Sequence, residues 1–373
     1  MTMRIAYIIN SLEGGGAASP VPALLGVLQR AGAEVALFAL TRRDGRALPP
    51  IEAAGIEVHI RPGGDKDHLA AYRWLDEAMA RWRPTHLWTS LTRATLLGQI
   101  VGQRRRLPVV SWQHNSFLKP ANAALLKWRA RRSAIWVADS EEVLRLTHRR
   151  LGVPMDRLML WSIFRADAAA PVARPWTPGE PLRIGSLGRL HPAKGYDIVA
   201  EALALLHARG IDARVTIGGE GAQRAALAGR VELAGFVERP HDFLAGLHLY
   251  VQPSRREGLC IAAHEAMQAG LPVIASRVGE LAHSILHGET GWLVPPCDVD
   301  ALADALAEAV TRPERLAEMG AAARARLFER FGPDRFEAAG RAIVDRLAPP
   351  RQLPPSRIAE RRGGVKRGAR KRA

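Results

Sequence analysis

Leu249-Tyr-Val-Gln252, Ser254-Arg-Arg-Glu257-Gly-Leu-Cys260-Ile-Ala-Ala-His-Glu265 and Pro272-Val-Ile-Ala-Ser276 follow one another almost without a break. The first and last are short apolar runs of strand length. The segment between them has helical spacing from about Cys260 to Ala269. Strand, helix and strand in that order make a βαβ unit with parallel strands. The alternation continues in both directions. Upstream, Leu182–Leu187 and Ala213–Ile217 read as strands around a helix at Tyr196–Arg209. Downstream, helices run from Asp300 to Thr311 and on to Leu347. The first half repeats the pattern, with strands at Arg4–Ile9, Glu34–Ala39, Gly55–Ile60, Thr85–Thr89, Pro108–Trp112 and Ala134–Ala138. Helices at Pro20–Arg30 and Asp67–Trp82 separate some of them.

The alternation breaks once. Residues 166–181 hold Pro171, Pro175, Pro178 and Pro181 and no periodicity, which reads as an interdomain linker. The expected class is α/β: two facing doubly wound, Rossmann-like domains with a cleft between them. Residues 1–165 form the first domain and 182–330 the second. A C-terminal helix at 331–348 is expected to cross back to the first domain, and a basic tail at 349–373 is expected to be disordered. Ligands of such sheets bind beyond the carboxyl ends of the strands.

The chain has 373 residues, 47% hydrophobic and 24% charged, as ordinary globular proteins do. That excludes a collagen-like, coiled-coil or wholly disordered chain. Its two cysteines, Cys260 and Cys297, form no CxxC or Cys/His zinc pattern, so a reducing cytoplasm is expected. No apolar run approaches the roughly 18 residues of a membrane span. The formal charge is +16, and half of it lies in the tail, where nine Lys/Arg from Arg351 onward meet one acid, Glu360.

Four segments could carry chemistry. Gly14-Gly15-Gly16-Ala17, between a strand and a helix, lets the backbone approach an anion. Arg189 and Lys194, in Gly185-Ser-Leu-Gly-Arg-Leu-His-Pro-Ala-Lys-Gly195, are two cations at a strand end and suit a diphosphate. Glu257 and Glu265, with seven residues between them, flank the N-terminus of a helix at Gly258 to Ile261, whose free amides could hold phosphate. His114, just past the Pro108–Trp112 strand, faces the expected cleft. Each also has a bland alternative: a tight turn, solvated charges, or a structural histidine. No metal site is expected. His264-Glu265 is not followed by an HExxH completion, and His283 and His287 lack a third ligand. Asp65-Lys-Asp67 lies in a loop, and Asp298-Val-Asp300 opens a helix, where Asp is a good cap.

Taken in order, these segments resemble the retaining glycosyltransferases of the GT-B fold, the large group called family 4 or group 1, over nearly all of residues 3–347. The likeness is strongest from Arg183 to Leu306. Gly185–Gly195 is similar to the family's "GRL…KG" segment, Gly218-Gly-Glu-Gly221 to its next glycine-rich loop, and Glu257–Glu265 to its E-x7-E signature. Gly270–Ser276 and Gly288–Pro296 resemble the segments that follow. The resemblance implies a nucleotide diphosphate sugar as donor substrate and no cofactor or metal. Arg189 and Lys194 would bind its phosphates, Glu257 the donor sugar and Glu265 the ribose. Gly15 and Gly16 would line the phosphates from the first domain. Gly219, Gly258, Leu259 and Cys260 would complete the donor site, and His114 would lie near the reacting sugar. The chain departs from the family's usual residues at Ala18, where Glu is common, and at Cys260, where Gly is common. It also departs at Trp161–Asp167, which lacks the usual Asn.

A glycan or lipid-linked acceptor in cell-envelope polysaccharide, lipopolysaccharide or glycolipid assembly follows from the resemblance. So does a cytoplasmic enzyme that is peripheral on the inner membrane. Leu125-Leu-Lys-Trp-Arg-Ala-Arg-Arg-Ser-Ala-Ile-Trp136 reads as a basic amphipathic helix suited to an anionic leaflet, and Arg104-Arg-Arg106 adds charge. Two other readings stay open. One is a nucleotide-sugar epimerase on the same fold. The other is non-specific nucleic-acid binding by the tail, which has no aromatic residue for stacking. No specific nucleic acid and no obligate protein partner are expected.

Overall fold

The computed structural model describes residues 2–14, 18–114 and 118–348. Gly15 and Gly16, and the tail at 349–373, lie outside the described residues.

Thirteen strands form two all-parallel sheets. In the first, β1 (Arg4–Ile9), β2 (Glu34–Ala39), β3 (Glu57–Ile60), β4 (His86–Ser90), β5 (Val109–Gln113), β6 (Ile135–Ala138) and β7 (Leu158–Leu160) lie in the order β3-β2-β1-β4-β5-β6-β7. In the second, β8 (Ile184–Leu187), β9 (Val215–Gly218), β10 (Glu232–Gly235), β11 (Leu249–Gln252), β12 (Val273–Ser276) and β13 (Gly291–Val294) lie in the order β10-β9-β8-β11-β12-β13. Both orders reverse direction at their middle, at β1/β4 and β8/β11. Those are the switch points where a crevice opens beyond the strand ends. The strands read as nearly continuous buried runs, because helices cover both faces.

Three strands were not expected from the sequence: β7, β10 and β13. Each has only three or four residues, and β10 reads Glu-Leu-Ala-Gly with a shift in its register against β9. The basic segment after His114 also differs from expectation. Its helix ends at Arg129 and passes through a 3-10 turn at Ala130–Arg132, and Trp136 belongs to β6, where it is fully buried. Among the described residues, no helix is long and apolar enough to cross a membrane.

Residues 166–181 contain no helix or strand and lie against the second domain. The Ala166 amide donates to Phe331 O (2.8 Å) and the Ala173 amide to Ala269 O (2.8 Å). The last helix, Pro333–Leu347, returns to the first domain and packs on the helix Val21–Arg30. Its buried Phe336, Ile343 and Val344 face Trp161 and neighbours. Burying each such side chain contributes about 1.5–3 kcal/mol. Arg30 pairs with Glu337 at 2.7 Å at the edge of this contact. Trp161 stacks on Trp112 with centroids 5.0 Å apart and meets Phe336 at 5.5 Å, so the returning helix closes over the core of the first sheet.

Gly340 is where the two helices come closest. A Cβ there would sit 2.5 Å from Val27 Cγ1 and 2.6 Å from the Trp161 ring. We expect Gly340→Val to destabilise the protein by about 1–3 kcal/mol, despite replacing a helix-weakening glycine. A urea midpoint equal to that of the unaltered chain would show that the helix does not pack this tightly in solution.

Candidate active site

Two contacts show how the sheets face each other. Arg46, in the loop after β2, stacks over Phe236, in the loop after β10, at 4.4 Å. The Glu141 amide, just after β6, donates to Glu280 Oε2, after β12, at 3.2 Å. All four residues lie beyond the carboxyl ends of their strands. The two sets of strand ends therefore oppose one another across a cleft, bracketed by these contacts.

On the second-domain side, the loop after β8 lies against the loop after β11. Gly195 joins the 3-10 turn Pro192–Lys194 to the helix Tyr196–Ala208 with φ +70, and a Cβ there would lie 2.1 Å from Pro253 O. Only glycine permits that approach. It brings Lys194 Nζ to 2.8 Å from Glu257 Oε1. The Ser254 hydroxyl donates to the same oxygen at 2.6 Å and accepts from Gln252 Nε2 at 2.7 Å. The Tyr250 hydroxyl donates to Gln252 Oε1 at 3.0 Å and accepts from the Leu187 amide at 3.1 Å. Glu257 is thus the end of a buried chain of hydrogen bonds rooted in the middle of the sheet.

Burial works against the charge of Lys194, while the Cys260 sulfur and the Glu257 carboxylate favour it, and the net effect raises its pKa. Burial pushes the Cys260 thiol up to about 12, so near neutral pH the sulfur is uncharged and Glu257 is the effective partner. One of the three ammonium donors is used by Glu257, which leaves two for an anion.

Cys260 precedes the helix Ile261–Gln268 with φ +65 and ψ +73, a left-handed conformation that costs a non-glycine residue roughly 1–2 kcal/mol. The bend joins the helix to the Glu257–Gly258 loop. That loop is held from behind: the Glu280 amide donates to Gly258 O at 2.9 Å. Leu259 and Cys260 are buried. Glu265, on the same helix, is half-buried and makes no hydrogen bond or ion pair among the described residues. Burial raises its pKa, with the His241 charge opposing. Gly219 lies against the β8 loop, where a Cβ would meet Gly188 O at 2.0 Å.

The structure therefore brings together Lys194, Glu257, Gly258, Leu259 and Cys260. It leaves Arg189 exposed at the end of β8, with no side-chain partner among the described residues. On the opposite side His114 is nearly buried, with Ser90 Oγ 2.7 Å from its Nε2 and Asp139 Oδ2 3.3 Å from its Nδ1. The motifs did not point to Ser254, Ser90 or Asp139. Ser254 could have been found as the residue three before Glu257. Ser90 and Asp139 have no local signal, because they reach His114 from neighbouring strands.

Three of the four aspartates in the two Asp-x-Asp pairs are engaged within the protein. Asp67 accepts from Arg61 at 2.6 Å and from Arg93 at 3.0 Å, and Asp65 pairs with Arg43 at 3.2 Å. Asp298 caps the helix Val299–Thr311, accepting from the Ala301 amide at 2.9 Å.

Residues 14–162 match the family described as glycosyltransferase family 4, and residues 181–312 match the one described as glycosyl transferases group 1. The D-inositol 3-phosphate glycosyltransferase of Streptomyces scabiei is 30% identical over 375 residues, covering 82% of this chain and 80% of that protein. The lipopolysaccharide core biosynthesis mannosyltransferase LpcC of Rhizobium leguminosarum bv. viciae is 25% identical over 318 residues, covering 79% and 88%. Among solved structures, Anabaena Alr3699/HepE in complex with UDP-glucose superposes with a TM-score of 0.77. It is 19% identical, over 92% of this chain and 99% of that one.

His264, on the helix between the two glutamates, gives this region a pH signature. It is fully buried between Cys260 O (2.9 Å) and Ser284 Oγ (2.8 Å), and burial lowers its pKa to about 4. A histidine with a depressed folded-state pKa stabilises the fold above its unfolded value near 6.5, and that contribution is lost as the pH falls toward 4. We expect a loss of roughly 3 kcal/mol across that window. Denaturant unfolding at pH 7 and pH 4.5 should show a shallower decline for His264→Gln than for the unaltered chain. Equal declines would mean that His264 does not titrate in this way.

Proposed function

The chain belongs to the group 1 glycosyltransferases of family 4, and on that footing we propose that it transfers a sugar from a nucleotide diphosphate donor to a glycan or lipid-linked acceptor with retention of anomeric configuration. The observation that carries the donor assignment is the Lys194–Glu257 pair at the adjoining ends of β8 and β11, braced through Ser254, Gln252 and Tyr250. In this proposal Lys194 and the exposed Arg189 bind the diphosphate. The amides at Gly258 to Cys260 and the Gly219 loop stabilise it as it leaves. Glu257 holds the donor sugar and Glu265 the ribose. These cations and amides meet the developing charge without a metal or other cofactor.

Retention is favoured by what surrounds His114. Inversion calls for a general base poised on the acceptor oxygen. The His114 imidazole, the titratable group we place near the reacting sugar, has both ring nitrogens engaged inside the protein. A donor of the UDP-sugar type fits the likeness to HepE, which was solved with UDP-glucose. An envelope acceptor fits the likeness to a lipopolysaccharide mannosyltransferase.

Docking to an anionic membrane surface is part of the proposal. The helix Pro120–Arg129 buries Leu126 but leaves Leu125 46% and Trp128 77% exposed, with Lys127, Arg131 and Arg132 exposed around them. Apolar side chains ringed by cations match an anionic headgroup layer, where each cation contributes about 1 kcal/mol near the surface.

Two experiments test these assignments. With the nucleotide sugar that most raises the melting temperature, and with EDTA present throughout, we expect steady turnover by the unaltered chain. Lys194→Ala and Glu257→Ala should each lower it by about 10²–10³-fold while remaining folded. Full turnover by either variant, or an absolute need for added manganese, would remove the corresponding assignment. In co-sedimentation at low salt, the protein should bind phosphatidylglycerol vesicles and not phosphatidylcholine ones. Trp128→Ala combined with Arg131→Glu and Arg132→Glu should abolish the binding. Equal binding to both vesicle types, or to neither, counts against membrane docking.

A further inference from the structure

The carboxyl ends of three adjacent strands meet at His114. Ser90 closes β4, His114 follows β5 and Asp139 follows β6. Ser90 Oγ, the His114 ring and Asp139 Oδ2 form one line of contacts, 2.7 Å on the Nε2 side and 3.3 Å on the Nδ1 side. The order of groups is that of an activated serine. Ser90 has no exposed surface, however, so its hydroxyl cannot meet a substrate as a nucleophile. The arrangement works in the other direction, on the imidazole.

We propose that Asp139 is a positioning residue, which fixes His114 as the neutral Nδ1–H tautomer and locks its ring at the cleft, with Ser90 donating to Nε2. This rests on the reading above that His114 lies at the reacting sugar.

Two features favour that direction of the hydrogen bonds. Asp139 immediately precedes Ser140, which caps the helix Glu141–Leu151 by accepting from the Val143 amide at 3.2 Å. The carboxylate therefore sits at the positive end of that helix, where negative charge is favoured. Its Oδ1 is buried without a hydrogen-bond partner, and His114 Nδ1 is the side-chain group that meets Oδ2, beside the carboxyl group's own backbone amide. Burial raises the pKa of Asp139 overall, and the His114 contact offsets this only in part. On the other side, a hydroxyl can donate to Nε2 once Nδ1 holds the ring proton. The face of the ring is held as well, because Trp112 stacks on it with centroids 5.4 Å apart. With both nitrogens and one face engaged, the ring cannot turn without breaking a contact.

The test uses the full chain and four forms of it: unaltered, Asp139→Asn, Ser90→Ala and His114→Ala. Long-range proton–nitrogen NMR at pH 8 reads the ring tautomer, with the His114 signal identified by its loss in His114→Ala. The unaltered chain and Ser90→Ala should both show Nδ1–H. Asp139→Asn, whose amide can donate or accept, should show a mixture or Nε2–H. Turnover with the donor chosen in the thermal screen should fall about 10–100-fold in kcat for Asp139→Asn, as for other outer partners of functional histidines, with the donor KM within about twofold. An Nε2–H signal in the unaltered chain would overturn the proposal. So would an Asp139→Asn form with unchanged tautomer and kcat. Full turnover by His114→Ala would instead overturn the placement of His114 at the reacting sugar, while the tautomer measurement would still decide the lock.

Discussion

The approach of Gly195 to the Pro253 carbonyl is the constraint on which the donor side of the cleft depends. It fixes the loop after β8 against the loop after β11 at a distance no side chain would allow. Everything chemical on that side follows. Lys194 is brought to Glu257, Glu257 receives the Ser254 hydroxyl, and the chain of hydrogen bonds back to Tyr250 becomes possible. A half-buried ammonium and a half-buried carboxylate are each best tolerated with the other in contact. The two groups stabilise one another and stay oriented for an anionic ligand.

The same economy of space appears at Cys260. A left-handed residue must stand there to bend the chain into the helix that carries Glu265, and glycine would do so without strain. The chain uses a cysteine and accepts the local cost. Its thiol is buried beside Glu257 and Lys194, where burial keeps it protonated. A larger side chain at this bend would have to displace the ion pair or the core around Leu259.

The two domains are joined more firmly than a linker alone would join them. Helix Pro333–Leu347 returns to cover Trp161 and Trp112 in the first domain, and Glu280 binds the start of helix Glu141–Leu151 while its own amide supports Gly258. Glu280 is nearly fully buried and also receives Arg330 at 2.5 Å. At the far lip of the cleft, Arg46 and Phe236 touch through a single exposed stacking contact, a type of interaction that contributes about 0.5–1 kcal/mol. The cleft is therefore strongly tied on the Glu280 side and lightly closed on the other.

By itself the sequence determined the class of fold and pointed to the residues of the proposed donor site. The run Glu34–Ala39 is a strand in both sequence and structure, and Arg189, Lys194, Glu257 and Glu265 could be named from spacing and resemblance, because a strand or helix that buries one face repeats its apolar residues at a fixed local period. The helix Glu141–Leu151 also has local signals, Ser140 at its start and Gly152 at its end, which the sequence analysis above does not use. Tertiary structure alone decided the rest. Strands β7, β10 and β13 lie at the edges of their sheets, each held by one neighbour that the sequence does not name. Ser90 and Asp139 are 24 and 25 residues from His114 in the chain, and Lys194 is 63 from Glu257. Which strand lies beside which is set by packing the helices over both faces of each sheet. Until that order exists, no pattern along the chain records which strand ends will meet.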